Sequence, residues 1–215
     1  MLLTAAVLLV VAIPLAAAED AVVLFNGKDL TGWTHFLEKK GPNADGSMGM
    51  EDVWSVDAER GVLVCKGVPN GYIKTTDDYT SFVLTFEWRW PGEPSNSGVL
   101  LRQVGPDEIW PRCIEAQLKN GQAGDFWAMG GAKLDVARPD PERPNHGLKA
   151  RAAEKPAGEW NRYHITVDGD RVVLKVNGEL VNEGTGAEVV PGRIGLQSEG
   201  TPIEFRNIRL IPIPK

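Results

Sequence analysis

Apolar and polar residues alternate singly along much of this chain. In the stretch 81–90, Phe82, Leu84, Phe86, Trp88 and Trp90 take every second position, with Val83, Thr85, Glu87 and Arg89 between them. A period of two puts alternate side chains on opposite faces of a strand, so one face of this segment is core. The same pattern, or β-branched and aromatic enrichment, predicts strands over 61–66, 98–104, 113–118, 162–167, 171–176, 192–197 and 203–210. Glycine, proline, asparagine and aspartate separate these runs, as turns require. Asp168-Gly169 predicts a tight hairpin that sets Tyr163, Ile165 and Val167 against Val172, Leu174 and Val176, and Asn177-Gly178 predicts a second turn of the same kind. No long segment sustains apolar spacing of three and four, so helix is scarce. Short, regularly spaced strands in a chain of 215 residues predict a single all-β sandwich of two antiparallel sheets. Residues 39–50 and 139–158 read as long loops, rich in Gly, Asn and Asp in the first case and in proline and charge in the second.

The N-terminus changes the picture. Residues 2–18 are almost wholly apolar and end in Ala16-Ala17-Ala18, just ahead of Glu19-Asp20. That is the pattern of a secretory signal peptide cleaved after Ala18, which leaves residues 19–215 as one domain with no later membrane-spanning run and a periplasmic or secreted destination. A net charge of −6 offers no basic field to gather phosphates, which argues against nucleic acid or an anionic membrane as a partner. Export permits a disulfide between Cys65 and Cys113, but both lie in apolar strand-like runs where free thiols are also common, and spacing leaves the choice open. Seven tryptophans suit either core packing or a platform for sugar rings.

The densest candidate chemistry lies at 113–131. Glu115, Gln117 and Lys119 follow one another at spacing two, with Cys113 on the same side, and a Gly-rich loop holding Asp125, Phe126 and Trp127 comes next. A carboxylate, an amide and an ammonium on one strand face are costly to bury, so that face is expected to be wet. An acid, hydrogen-bonding groups and an aromatic loop together suggest a carbohydrate cleft; an ordinary solvated strand face fits the spacing equally well.

Several motifs taken in order identify a resemblance. LFNGKDLTGW (24–33), EWRW with NSGVLLR (87–102), IEAQL with GDFWAMGG, EWNRYHITVDGD, VNGELVN and GRIGLQSEGTPIEFRNIRL (192–210) resemble the 3-keto-disaccharide hydrolase domain family across essentially the whole of residues 19–215. The resemblance implies a concanavalin A-like jelly roll whose concave face holds a sugar, and chemistry on glucosides already oxidised at carbon 3. Where many relatives carry His-Gly after the Leu-Gln near the end, this chain carries Ser198-Glu199-Gly200.

The implied chemistry is an elimination. A ketone at carbon 3 acidifies the hydrogen on carbon 2, a base removes it, the aglycone leaves from carbon 1, and water adds to the resulting enone. This needs a base of near-neutral pKa, an electrophile at the ketone oxygen and an acid at the leaving oxygen. Glu115 is the expected base, with a surface pair to Lys119 as the alternative. Arg102, of opposite parity to Val99 and Leu101, is the expected electrophile or hydroxyl clamp, with a rim salt bridge to Glu87 or Glu115 as the alternative. Glu199, in the place of the family histidine, is a second acid candidate. Asn96, Ser97, Gln117, Lys119, Asp125 and Trp127 are the substrate-binding candidates. Glu87 and Arg89 can line either the cleft or the outer surface. His164 reads as a solvent-facing strand residue, and His35 and His146 lie in or beside loops. Scattered histidines give no metal-ligand spacing, although a divalent ion held by Glu, Asp and His would polarise the ketone. No cofactor follows from the residues. The competing classes are a non-catalytic carbohydrate-binding module on the same jelly roll and a conventional retaining glycosidase. The second is disfavoured because no closely spaced acid pair appears on any one strand.

Overall fold

The structure, a computed structural model, describes residues 21–214. The apolar leader expected over 2–18 lies outside them. The strands in chain order are β1 (Val22–Val23), β2 (Trp33–Leu37), β3 (Trp54–Asp57), β4 (Val62–Cys65), β5 (Gly71–Thr75), β6 (Phe82–Arg89), β7 (Gly98–Val104), β8 (Arg112–Gln117), β9 (Phe126–Met129), β10 (Asp135–Val136), β11 (His146–Gly147), β12 (Asn161–Asp168), β13 (Arg171–Val176), β14 (Glu179–Thr185), β15 (Arg193–Ser198) and β16 (Ile203–Pro212). A short α-helix, α1 (Met50–Val53), closes the first long loop.

The strands form two antiparallel sheets. One runs β10-β14-β13-β12-β6-β16-β4-β3, with β1 added against β16, and the other runs β11-β9-β8-β7-β15-β5-β2. Between them the alternation works as the sequence predicts. Phe82, Leu84, Phe86 and Trp88 of β6 are at most 1% exposed, and Phe86 stacks on Tyr163 at 5.5 Å between ring centroids. Burial of each such side chain is worth roughly 1.5–3 kcal/mol. The β12–β13 hairpin has the expected register, Tyr163 opposite Val176, Ile165 opposite Leu174 and Val167 opposite Val172. The following turn carries Asn177 at φ 52° and Gly178 at φ 88°, both left-handed, which matches the right-handed twist of the strands it joins.

Several strands escape the sequence reading. In β5, Gly71, Tyr72, Ile73 and Thr75 are all buried, so no wet face marks it as a strand. Cys65 lies on β4 of one sheet and Cys113 on β8 of the other, and both are buried free thiols; the disulfide that export permits is not formed. Glu87 and Arg89 occupy the outer face of the nine-stranded sheet. There Arg206 Nε donates to Glu87 at 2.5 Å and Arg89 Nε donates to Glu204 at 2.6 Å. Among the described residues no helix is long and apolar enough to cross a membrane.

The seven-stranded sheet positions the site. Its inner face gives Val99, Leu101, Ile114 and Ala116 to the main core. Its other face carries a separate apolar cluster of Tyr72, Leu100, Cys113 and Met129, flanked by Phe36 and Trp127. Polar groups, Glu115 and Gln117 of β8 among them, interrupt that second face.

Candidate functional site

Strand β8 turns Cys113, Glu115 and Gln117 away from the core because Ile114 and Ala116 are turned into it. Glu115 lies opposite Leu100 of β7 on one side and Trp127 of β9 on the other, and Gln117 lies opposite Gly98. The face expected to be wet is closed over these groups: Glu115 is 3% and Gln117 5% exposed, and only Lys119 reaches solvent. Side chains from β9 and from loops remote in the chain stand round these groups, which spacing along β8 could not reveal.

A cavity of about 620 Å³ opens on this face. It is lined by Glu115, Glu199, Asn96, Gln117, Lys119 and Trp127, together with Trp110, Gln122, Arg143 and Asn145. That volume lies within the usual range for small-molecule sites. Asn96 and Glu199, far apart in sequence, are brought side by side by an isolated antiparallel bridge. Four buried polar atoms here have no hydrogen-bond partner among the described residues: Glu115 Oε1, Gln197 Oε1, Asn96 Oδ1 and Trp127 Nε1. Buried polar atoms are normally paired; Glu115, Asn96 and Trp127 belong to the cavity wall, whereas Gln197 adjoins it beside Gly98. Gly98 makes room for two of them. A Cβ there would lie 2.0 Å from Glu115 Oε1 and 2.4 Å from Gln197 Oε1, so only glycine lets both heads sit over the strand.

The remaining predicted residues do other work. Arg102 is corrected: its side chain is absent from the cavity wall and holds backbone instead. Nε donates to Thr80 O at 2.5 Å, Nη1 to Glu188 O at 2.9 Å and Nη2 to Gly169 O at 2.7 Å. Its φ of 52° in the irregular pairing between Leu101 and Val104 re-aims the side chain, which neither parity nor a salt bridge anticipates. Ser97 is fully buried, with its hydroxyl donating to Gln197 O at 2.9 Å, so it fixes the β7–β15 junction beneath the cavity and does not line it. Asp125 also lies behind the wall, accepting from Lys149 N at 2.9 Å and facing His146 Nε2 at 3.0 Å. The amide of Gln117 is partly spent, because its Oε1 accepts from Leu118 N and Lys119 N, both at 2.8 Å.

His146, read from the sequence only as lying in or beside a loop, is a buried group of the site's support. It is 1% exposed, with Nδ1 2.8 Å from Asp140 Oδ2 and Nε2 3.0 Å from Asp125. Carboxylate oxygens face both ring nitrogens, so the ring donates to both only when both carry protons. The imidazole lies flat beneath Trp127, 4.1 Å between centroids with an 11° interplanar angle. Arg143, which donates from Nε to Asp140 at 2.8 Å, stands 5.3 Å from the same indole. Trp127 is therefore held rigidly, with its ring backed by polar groups that no local motif marks.

Two carboxyls share the cavity. Burial, and secondarily the charge of Glu199, push Glu115 up to about 8 from an ordinary 4.5. Burial also raises Glu199, against a hydrogen bond from Asn96 and the positive charge of Lys119. The folded state binds the Glu115 proton more tightly than the unfolded chain. Its contribution to stability is therefore complete below about pH 4.5 and is lost as pH rises towards 8. Urea titrations between pH 5 and pH 8 should show wild type losing stability relative to Glu115→Gln, which has no proton to lose. Parallel curves for the two proteins would refute the burial of an ionisable Glu115. Among the described residues, no group of three or more His, Cys, Asp and Glu side chains is gathered closely enough to hold a metal ion.

A model of the 3-keto-alpha-glucoside-1,2-lyase-like domain matches residues 20–211. A candidate glycosyl hydrolase of Parabacteroides distasonis has a similar structure, with TM-score 0.67, 22% identity, 94% of this chain covered and 99% of that one. Carbohydrate-binding module 66 of Bacillus subtilis has TM-score 0.56 at 14% identity, covering 83% of this chain and 94% of that one. The β-glucanase of Bacillus licheniformis has TM-score 0.53 at 13% identity, covering 88% and 96%. The fold is thus the concanavalin A-like jelly roll that the resemblance implied. No curated protein sequence matches the chain.

Proposed function

This chain belongs to the 3-keto-alpha-glucoside-1,2-lyase-like domain family, and from that premise we propose that it cleaves the glycosidic bond of 3-keto-glucosides by elimination followed by hydration. The observation that carries the proposal is Glu115: a buried carboxyl on the wall of a cavity of saccharide size, with its pKa pushed up to about 8. Such a carboxylate is a much stronger base than an ordinary glutamate and still ionises close to neutral pH.

In this reading Glu115 takes the proton from carbon 2, and its electron pair forms the enolate of the carbon 3 ketone. With Arg102 engaged elsewhere, Lys119 on the cavity wall supplies the positive charge that the developing oxyanion needs. Expulsion of the oxygen at carbon 1 follows, with Glu199 giving it a proton. Water then adds to carbon 1 of the enone, and carbon 2 regains a proton from Glu115 or from solvent. Asn96 on the cavity wall accepts hydrogen bonds from sugar hydroxyls, and Trp127 carries a ring face.

A second reading, a carbohydrate-binding module, is favoured by the shared fold of module 66 and uses the same polar cavity wall. One experiment separates the two. Purified protein is given a glucoside deuterated at carbon 2, as the 3-keto sugar and as its unoxidised parent, and aglycone release is followed by NMR. Elimination predicts release from the keto sugar alone, with loss of the label, because without the ketone the carbon 2 proton is too weak an acid for a carboxylate. Full retention of deuterium during turnover contradicts it. Affinity without turnover of either sugar leaves the binding module.

A further inference from the structure

Trp110 lines the same cavity and was not among the residues that sequence reasoning selected. It is 45% exposed, the only aromatic side chain among the described residues left so open; the other exposed large apolar side chains are valines and a leucine. Exposing that much indole costs solvation free energy unless a ligand covers it.

The segment that carries it is anchored. Asp107, three residues earlier, accepts from Tyr72 Oη at 2.9 Å and from Gln103 Nε2 at 3.3 Å, and also pairs with Lys74. Pro111 follows directly and disfavours helical backbone at Trp110. The segment that presents the indole to the cavity is thus tied to the sheet.

Its side of the cavity is also informative. Trp127 stands next to Glu115 in the β8–β9 register. Trp110 stands on the Glu199 side, where it also walls a small adjoining pocket with Gln197, Ser198 and Glu199. The two indoles therefore lie on either side of the two carboxyls.

We infer that Trp110 is the platform for the group across the scissile bond, so that this protein selects glucosides whose aglycone is itself a ring, a second sugar or an aryl group, over those with a small alkyl aglycone. The inference rests on the activity proposed above and adds to it the specificity of the leaving side. Trp127 takes the oxidised ring beside Glu115, and Trp110 takes the ring that departs with the leaving oxygen.

The test reads a ratio. For wild type, Trp110→Ala and Trp110→Phe, kcat/KM is measured on a 3-keto disaccharide and on 3-keto methyl glucoside. Loss of a well-positioned aromatic contact is expected to lower the disaccharide preference about tenfold in Trp110→Ala, whereas Trp110→Phe, which keeps a flat ring, retains most of it. An unchanged ratio in Trp110→Ala overturns the inference. Calorimetric titration of the unoxidised disaccharide and methyl glucoside into the same three proteins tests the platform without turnover. If wild type turns over neither keto sugar, the activity reading fails, yet a disaccharide advantage in affinity that Trp110→Ala erases still upholds the platform. Equal affinity of wild type for the two unoxidised sugars overturns it.

Discussion

Glu115→Gln is expected to lower turnover of a 3-keto glucoside by roughly a hundredfold to ten-thousandfold, the usual cost of losing a general base, while leaving sugar affinity nearly unchanged. The substitution preserves shape and the position over Gly98 and removes only the proton-accepting function. It also removes a carboxyl that must stay protonated to be comfortable in its buried position, so the variant should fold at least as stably as wild type at neutral pH. Loss of rate together with gain in stability is the pattern of a residue whose environment is shaped for chemistry rather than for folding. Near-normal rates in Glu115→Gln on a verified keto substrate would move the base to Glu199, the other carboxyl in the cavity.

Arg102→Ala is expected to act in the opposite way, on stability and not on the chemical step. The guanidinium ties the carbonyls of Thr80, Gly169 and Glu188, three positions distant in the chain, to one bulge of β7. Hydrogen bonds to a charged group contribute about 1.5–3 kcal/mol each, and they are not additive, so a loss of about 3 kcal/mol is the expected scale. For a domain of this size that is a fall in melting temperature of about 10 °C. Denaturant titration beside kinetics on the folded protein checks it. A drop in rate with unchanged stability would return Arg102 to the site from which the geometry removes it.

These two residues mark the boundary of what the chain reveals by itself. For Glu115, alternation was sufficient to name the face: Ile114 and Ala116 must go to the core, so their neighbour goes the other way. For Arg102 the same rule failed, because the left-handed backbone at that position breaks the alternation and no residue type announces it. The hairpin from β12 to β13 was legible down to its register, since Gly169 and the flanking apolar residues are local to one another. His146 was not legible. Its partners Asp125 and Asp140 are set by the pairing of β11 with β9 and by the loop that leads into β11, and nothing within a few residues of it encodes them.

The sequence by itself determined the strand-rich class, the outward direction of Glu115 and Gln117 and, through the order of its motifs, the family. All of these rest on the period of two along a strand or on short contiguous signatures. The tertiary structure alone decided that the outward face of β8 is covered rather than wet. It also placed Glu199 and Asn96 beside Glu115, brought Gln197 over Gly98, and set Trp110 across the cavity from Trp127. Alternation states which way a side chain points. It does not state what lies over it, and the proton affinity of a carboxyl depends on that covering. Burial costs an ion its hydration wherever the covering residues come from, and here they come from strands and loops more than eighty positions apart in the chain.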